Sequence, residues 1–199
     1  MLKDRKRSLI YIAVKRYSDF IISLIAIIIL LPVMLVIAIC IKSTSKGPVI
    51  FKQKRAGINS KEFYIYKFRT MKNNSPVLST EEFVDSSSYV TKIGNVLRKT
   101  SLDEIPQFFN VIRGQLSLVG PRPIMLEEEE LINLRKEKGI DCIKPGITGF
   151  AQINGRDNIS VEEKVRYDKE YASHASIGLD FKILFMTVLK VIKRDGIIS

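Results

Sequence analysis

A chain of 199 residues that is 46% apolar can bury a sizeable core as one domain, with room for an anchor. Two cysteines, Cys40 and Cys142, and a single histidine, His174, exclude a disulfide framework and a zinc site; plain thiols and a surface histidine are expected. The net charge of +11 invites a nucleic-acid reading, but residues 1–16 carry +5, residues 42–72 carry +8 and residues 73–199 only −1, so the basic excess flanks one segment.

That segment, residues 20–41, holds 22 residues without a charge. As a straight helix it would be ~33 Å long, about the thickness of a hydrocarbon core. It is too long for the apolar region of a signal peptide and lacks a small-x-small exit. Pro32 sits mid-run, where it deletes a backbone hydrogen bond and kinks or breaks a helix. Clustered cations stay on the cytoplasmic side, and here both flanks are cationic. A helix that enters, breaks at Pro32 and returns keeps both flanks inside, so a re-entrant hairpin is favoured over a straight span.

Residues 49–71 alternate aromatic and β-branched residues with Lys and Arg around a turn at Ile58-Asn59-Ser60, which reads as a hairpin. Lys67 and Arg69, two apart, point to one side and can meet a polyanion. Residues 72–90 are polar and Ser/Asn-rich, a lid candidate. Residues 93–98 read as a helical turn presenting Arg98 just before the acid pair Asp103-Glu104.

Two registers compete for that pair. Ser101-Leu102-Asp103-Glu104 matches a capping box, which would place Pro106 inside the helix. With Asp103 as N-cap, Pro106 falls where its missing amide is harmless, on a short helix ending near Gly114. The second register costs less and sets the Asp103 carboxylate at a positive helix end, beside which an anionic phosphate is also welcome. An ionised carboxylate can attack phosphorus. No Gly-rich phosphate loop is present, so arginines, lysines and a divalent metal would have to hold phosphate; Arg98, Arg122 and Arg156 lie in or beside rigid turns.

Residues 125–138 read as a charged helix, with Glu127 to Glu130 a solvated face. Lys144-Pro145-Gly146-Ile147-Thr148-Gly149 is a rigid turn, and Gln152 and Arg156 flank an Asn-Gly turn. Ser160 and Glu163 can cap a helix that carries Asp168. Residues 177–194 form an apolar amphipathic helix, suited either to the membrane interface or to the core.

Taken together these motifs resemble the bacterial sugar transferase family, the small monotopic phosphoglycosyl transferases, from about Lys15 to Arg194. The resemblance is carried by Lys15-Arg16 with Asp19, Gly47-Pro48-Val49-Ile50-Phe51, Tyr66-Lys67-Phe68-Arg69-Thr70-Met71 and Ser101-Leu102-Asp103-Glu104. It continues through Asn110-Val111, Ser117-Leu118-Val119-Gly120-Pro121-Arg122-Pro123, Pro145-Gly146-Ile147-Thr148-Gly149, Ala151-Gln152-Ile153-Asn154-Gly155-Arg156 and Asp168. One departure is Leu31 before Pro32, where family members often have Ser. The 199 residues are expected to lack the multi-span N-terminal region of larger relatives.

The resemblance implies a mixed α/β (α+β) monotopic membrane protein. Residues 1–46 form the basic N-terminus and re-entrant helix-break-helix hairpin; residues 47–199 form a cytoplasmic catalytic domain with interfacial amphipathic helices. It implies transfer of a phosphosugar from a UDP-sugar to polyprenol (undecaprenyl) phosphate, releasing UMP. That would be the initiating membrane step of capsule, exopolysaccharide, O-antigen or glycoprotein synthesis, at the cytoplasmic face of the bacterial inner membrane. Asp103 is then the nucleophile that forms a covalent phosphosugar intermediate, and Glu104, with Asp103, holds Mg²⁺. Arg98 and Arg156 are implied in phosphate binding, and Lys67, Arg69, Arg122, Gln152 and Asp168 are added to the site. Expected partners are UDP-sugar, polyprenol phosphate and membrane lipid, with a homodimer as an option and no nucleic acid. Two other readings stay open: direct attack by polyprenol phosphate in a ternary complex, and a non-enzymatic membrane adaptor.

Overall fold

The structure, a computed structural model, describes residues 9–72, 89–155 and 159–193. Arg156, Arg194 and all of the expected lid except Lys72, Tyr89 and Val90 lie outside the described residues. A single helix, α1 (Leu9–Thr44), opens the chain and contains Pro32. The expected break is therefore corrected: Pro32 removes one amide from the ladder, but the helix continues on both sides of it. Packing explains why. Buried positions recur at Asp19, Ser23, Ile27, Met34, Ile37 and Ile41, a stripe along one face that holds both halves against the rest of the protein. Ile25, Ile28, Ile29, Leu35, Val36 and Ile39 face outward, exposed.

Polar ties fix the first half of α1. Arg16 donates to the carbonyls of Val111 at 2.6 Å and Ile112 at 2.8 Å. The Asp19 carboxylate accepts from Ser117 Oγ at 2.6 Å and Leu118 N at 3.3 Å. Lys15 pairs with Asp180 at 2.8 Å. At the other end, Met34, Ile37 and Ile41 pack with Phe68, Leu97 and Ile105.

Strands β1 (Ile50–Ala56) and β2 (Glu62–Phe68) form the expected antiparallel hairpin, with Ile50 opposite Phe68. Asn59 and Ser60 at its turn take left-handed φ angles of 53° and 56°, and Asn59 N is held by Asp141 O at 2.7 Å. Then come α2 (Lys92–Lys99), α3 (Gln107–Ile112), β3 (Ser117–Val119), α4 (Glu129–Glu137) and β4 (Gly146–Thr148). The expected turn at residues 144–149 is in part this strand, paired parallel to β3. A Cβ on Gly146 would overlap the Gly120 backbone, so the crossing needs glycine.

Three helices close the chain: α5 (Phe150–Asn154), α6 (Val161–His174) and α7 (Ile177–Lys193). Ser160 and Glu163 form the expected capping box on α6. The main core gathers Phe63, Ile65, Val111, Leu116, Leu118, Ile140, Val165, Tyr171 and Ile183. Phe108 touches both this core and the cluster under α1, so α3 joins the two.

Candidate active site

The acid pair lies between α2 and α3. Helix α2 ends at Thr100, and Ser101 reverses the chain with φ 55°. Leu102–Glu104 is a single 3-10 turn, and Pro106 is the N-cap of α3. Both expected caps are thus corrected: Asp103 starts no helix running to Gly114, and Ser101 makes no side-chain cap bond. The conflict set by Pro106 is resolved by ending one helix and starting another, so no helix has to accommodate its missing amide. Asn110, fully buried, pins the turn to the hairpin: its side chain accepts from Tyr66 N at 3.1 Å and donates to Tyr64 O at 2.7 Å.

This placement brings the pair to Lys67. Lys67 Nζ donates to Glu104 Oε1 at 2.8 Å, and Arg122 Nη2 stands 3.6 Å from the same oxygen. Arg98 comes from α2, with its Nε donating to Thr70 Oγ1 at 3.0 Å. Gly94 makes this approach feasible, because a Cβ there would overlap the Thr70 carbonyl. Asp103 is only 8% exposed. Burial, reinforced by the Glu104 charge, pushes its carboxyl up to about 6, against the pull of Lys67 and Arg98. Near neutral pH it is therefore ionised but desolvated, with two cations beside it. That is the state a nucleophile toward phosphorus needs.

Magnesium commonly takes one or two carboxylates and completes its six positions with phosphate oxygens and water. Asp103 and Glu104 are such a pair, and their mutual repulsion is what a divalent cation relieves. Among the described residues no group of three or more His, Cys, Asp or Glu side chains gathers. Asp103 and Glu104 are therefore the residues that would hold a divalent cation, with substrate phosphate completing its ligands.

Two of the sequence-derived site residues are placed elsewhere. Arg69 is buried and donates to Ser45 O at 2.9 Å, Ser45 Oγ at 2.7 Å and Lys46 O at 3.0 Å, closing the C-terminal end of α1. The reading that Lys67 and Arg69 together meet a polyanion is corrected: Lys67 goes to Glu104 and Arg69 to the end of α1. Asp168 is 1% exposed and pairs with Arg135 Nη2 at 2.6 Å. Arg135 Nη1 in turn donates to the Arg122 carbonyl at 2.8 Å. Asp168 thus supports the arginine loop from behind. Arg135 and Asn110 were missed as functional groups by the sequence reading; the fixed order Arg135…Asp168 held no spacing signal.

An open cleft with ≈ 700 Å³ of empty space adjoins the pair, and Glu104, Arg122 and Gln152 border it. Gln152 Nε2 donates to Ile147 O at 3.2 Å, while its buried Oε1 has no partner among the described residues. Among the described residues, Gln152 thus brings an unmatched acceptor to the cleft.

Comparison with known proteins matches residues 10–194 to the model of the bacterial sugar transferase family. The chain is 45% identical over 190 residues to a UDP-glucose:undecaprenyl-phosphate glucose-1-phosphate transferase of Klebsiella pneumoniae, covering 88% of this chain and 39% of that protein. It is 45% identical over 151 residues to the uncharacterized sugar transferase EpsL of Bacillus subtilis (strain 168), covering 76% of this chain and 73% of that one. It is 37% identical over 196 residues to a UDP-N-acetylgalactosamine-undecaprenyl-phosphate N-acetylgalactosaminephosphotransferase of Aeromonas hydrophila, covering 94% and 45%. The chain thus spans about two fifths of the length of the transferases named for undecaprenyl phosphate. With the match running from α1 to the end of α7, the chain belongs to the bacterial sugar transferase family.

Proposed function

We propose that this protein moves a phosphosugar from a UDP-sugar to polyprenol phosphate, as the first membrane step of a bacterial glycan. The observation that carries the reading is Asp103: a desolvated carboxylate beside Lys67 and Arg98, in a family whose relatives are named for this transfer. A carboxylate oxygen of Asp103 attacks the sugar-bearing phosphorus, and the bond to UMP breaks. An oxygen of the polyprenol phosphate then attacks that phosphorus, and the bond to Asp103 breaks, returning the carboxylate. Lys67 and Arg122 hold Glu104 in place, and Arg98 supplies positive charge near Asp103. Mg²⁺, held by Asp103 and Glu104 when bound, would neutralise phosphate charge.

The test is mass spectrometry of detergent-solubilised protein given a UDP-sugar and Mg²⁺ without lipid. One phosphosugar should be added to the intact mass, with UMP released in equal amount. UMP release that requires both substrates together, with no adduct, would instead favour direct attack in a ternary complex.

The anchor is monotopic in this reading. Both ends of α1 touch the same body, Arg16 on α3 and Ile41 beside Phe68. That supports both cationic flanks lying on the cytoplasmic side. The outer face of α1 lies in one leaflet of the inner membrane, with both ends of the unbroken helix on the side it entered. In a variant stripped of Cys40 and Cys142, cysteines introduced as Ile10→Cys and Lys46→Cys should both resist an impermeant thiol reagent applied outside intact cells. Labelling at one position alone would indicate a straight span.

A further inference from the structure

We propose, resting on the transferase reading above, that the cleft between α3, α5 and α7 is the acceptor's site. Lys190 holds the polyprenol phosphate headgroup, and Ile105, Phe108, Ile153 and Val191 hold the first isoprene units.

Lys190 lines the same cleft as Glu104 and Arg122, so an anion held there shares a space with Glu104, the chain neighbour of Asp103. Lys67 and Arg122 already face Glu104. No carboxylate among the described residues pairs with Lys190, which leaves a cation on the cleft wall to be met by a ligand. By area the walls are mostly apolar, with Ser101, Thr148, Gln152 and Thr187 as their uncharged polar members. Their few hydroxyls are partly engaged: Thr148 Oγ1 and Thr187 Oγ1 bond each other at 2.7 Å. A nucleotide sugar would leave many of its hydroxyls and ring polar groups unmatched against such walls. An isoprenoid chain would not.

An apolar surface on α7 leads away from the cleft. Phe181, Phe185 and Val188 form an exposed stripe on α7, and Val191 lies one turn beyond Val188. Tyr11 and Lys15 of α1 bond Asp180 at 3.2 and 2.8 Å, so α7 starts beside the apolar anchor. A lipid tail can thus pass from the bilayer along α7 to the cleft, with its phosphate stopping at Lys190. A fully soluble substrate needs no such route.

The experiment compares the wild type with Lys190→Gln and Lys190→Arg in lipid nanodiscs, varying undecaprenyl phosphate and UDP-sugar separately. Lys190→Gln should raise KM for undecaprenyl phosphate about tenfold or more, the loss expected for one charge-assisted bond to phosphate. KM for the UDP-sugar should change less than about twofold, on the same scale of interaction energies, and Lys190→Arg should recover most of the acceptor affinity. A rise in KM for the UDP-sugar with acceptor KM unchanged would overturn the assignment while leaving the transferase reading intact. A second arm needs no turnover: thermal shift by farnesyl phosphate, with farnesol and inorganic phosphate as controls. A shift by farnesyl phosphate that Lys190→Gln abolishes supports the cleft as a lipid-phosphate site even if no phosphosugar adduct forms. An equal shift in wild type and variant overturns it.

Discussion

Asp103→Asn should abolish turnover and the phosphosugar adduct, and yet give a protein more stable than the wild type above pH 6. The carboxyl of Asp103 lies at 3.8 in its ordinary state and at about 6 here, raised first by burial and then by Glu104. A group whose pKa is raised on folding binds its proton more tightly in the folded state. Folding is therefore unopposed below pH 3.8, where both states are protonated, and is opposed increasingly up to pH 6. Above that the penalty is complete. A rise of about 2 units corresponds to at most ~3 kcal/mol, with ~1–3 kcal/mol a fair range for a site shared with Glu104. Asn keeps the shape and removes the charge. At 2–4 °C per kcal/mol, Tm should rise by roughly 2–12 °C at pH 7.5 and by almost nothing at pH 4. Thermal unfolding in EDTA-containing buffer, so that no divalent cation masks the repulsion, checks this. An Asn variant with Tm at or below wild type at pH 7.5 would mean that the carboxylate is not held against its preference. Stability given up at a reacting group is a common cost of activity.

The pattern of legibility follows from which forces are local. The hairpin of β1 and β2 was readable because alternation along a strand depends only on which face is wet. The capping box at Ser160 was readable because its partners lie within one turn. The acid pair was recognisable, but its helix register was not. Pro106 signalled a conflict correctly; the resolution, a left-handed Ser101, depends on α2 having to double back onto β2, which no local pattern encodes. Pro32 misled in the opposite direction. Its local effect is to break a helix, and packing of Asp19 to Ile41 along one face overrides it. Arg69 and Lys67 share a face by sequence, but the partners waiting for them, the end of α1 and Glu104, come from elements 20 or more residues away. Asp180 gave no sign of gathering Tyr11, Lys15 and Tyr171 onto one carboxylate.

Arg135 shows the same limit and leads to the second large effect. In sequence it is one cation in a charged helix; in the fold α4 and α6 meet and bury it against Asp168. Burial pushes the Asp168 carboxyl up even though Arg135 opposes the shift, so desolvation weighs heavily on this pair. Asp168→Asn should then leave the Arg135 guanidinium buried without its counter-charge and destabilise the protein by ~3–5 kcal/mol, a fall in Tm of roughly 6–20 °C. Replacing both partners, Arg135→Met with Asp168→Leu, removes both buried charges and should restore stability to within ~1–2 kcal/mol of wild type. Activity should not return with it. The Arg122 carbonyl loses the bond from Arg135, and the Arg122 guanidinium is no longer fixed beside Glu104. A positioning role therefore predicts a double variant that melts near wild type but releases UMP about 10-fold or more slowly, chiefly through kcat, the size expected when a charged group is misplaced by a fraction of an ångström. A purely structural pair predicts that activity follows Tm in both variants. Measuring Tm and steady-state UMP release side by side separates the two, because only the first role breaks the correlation between melting and turnover.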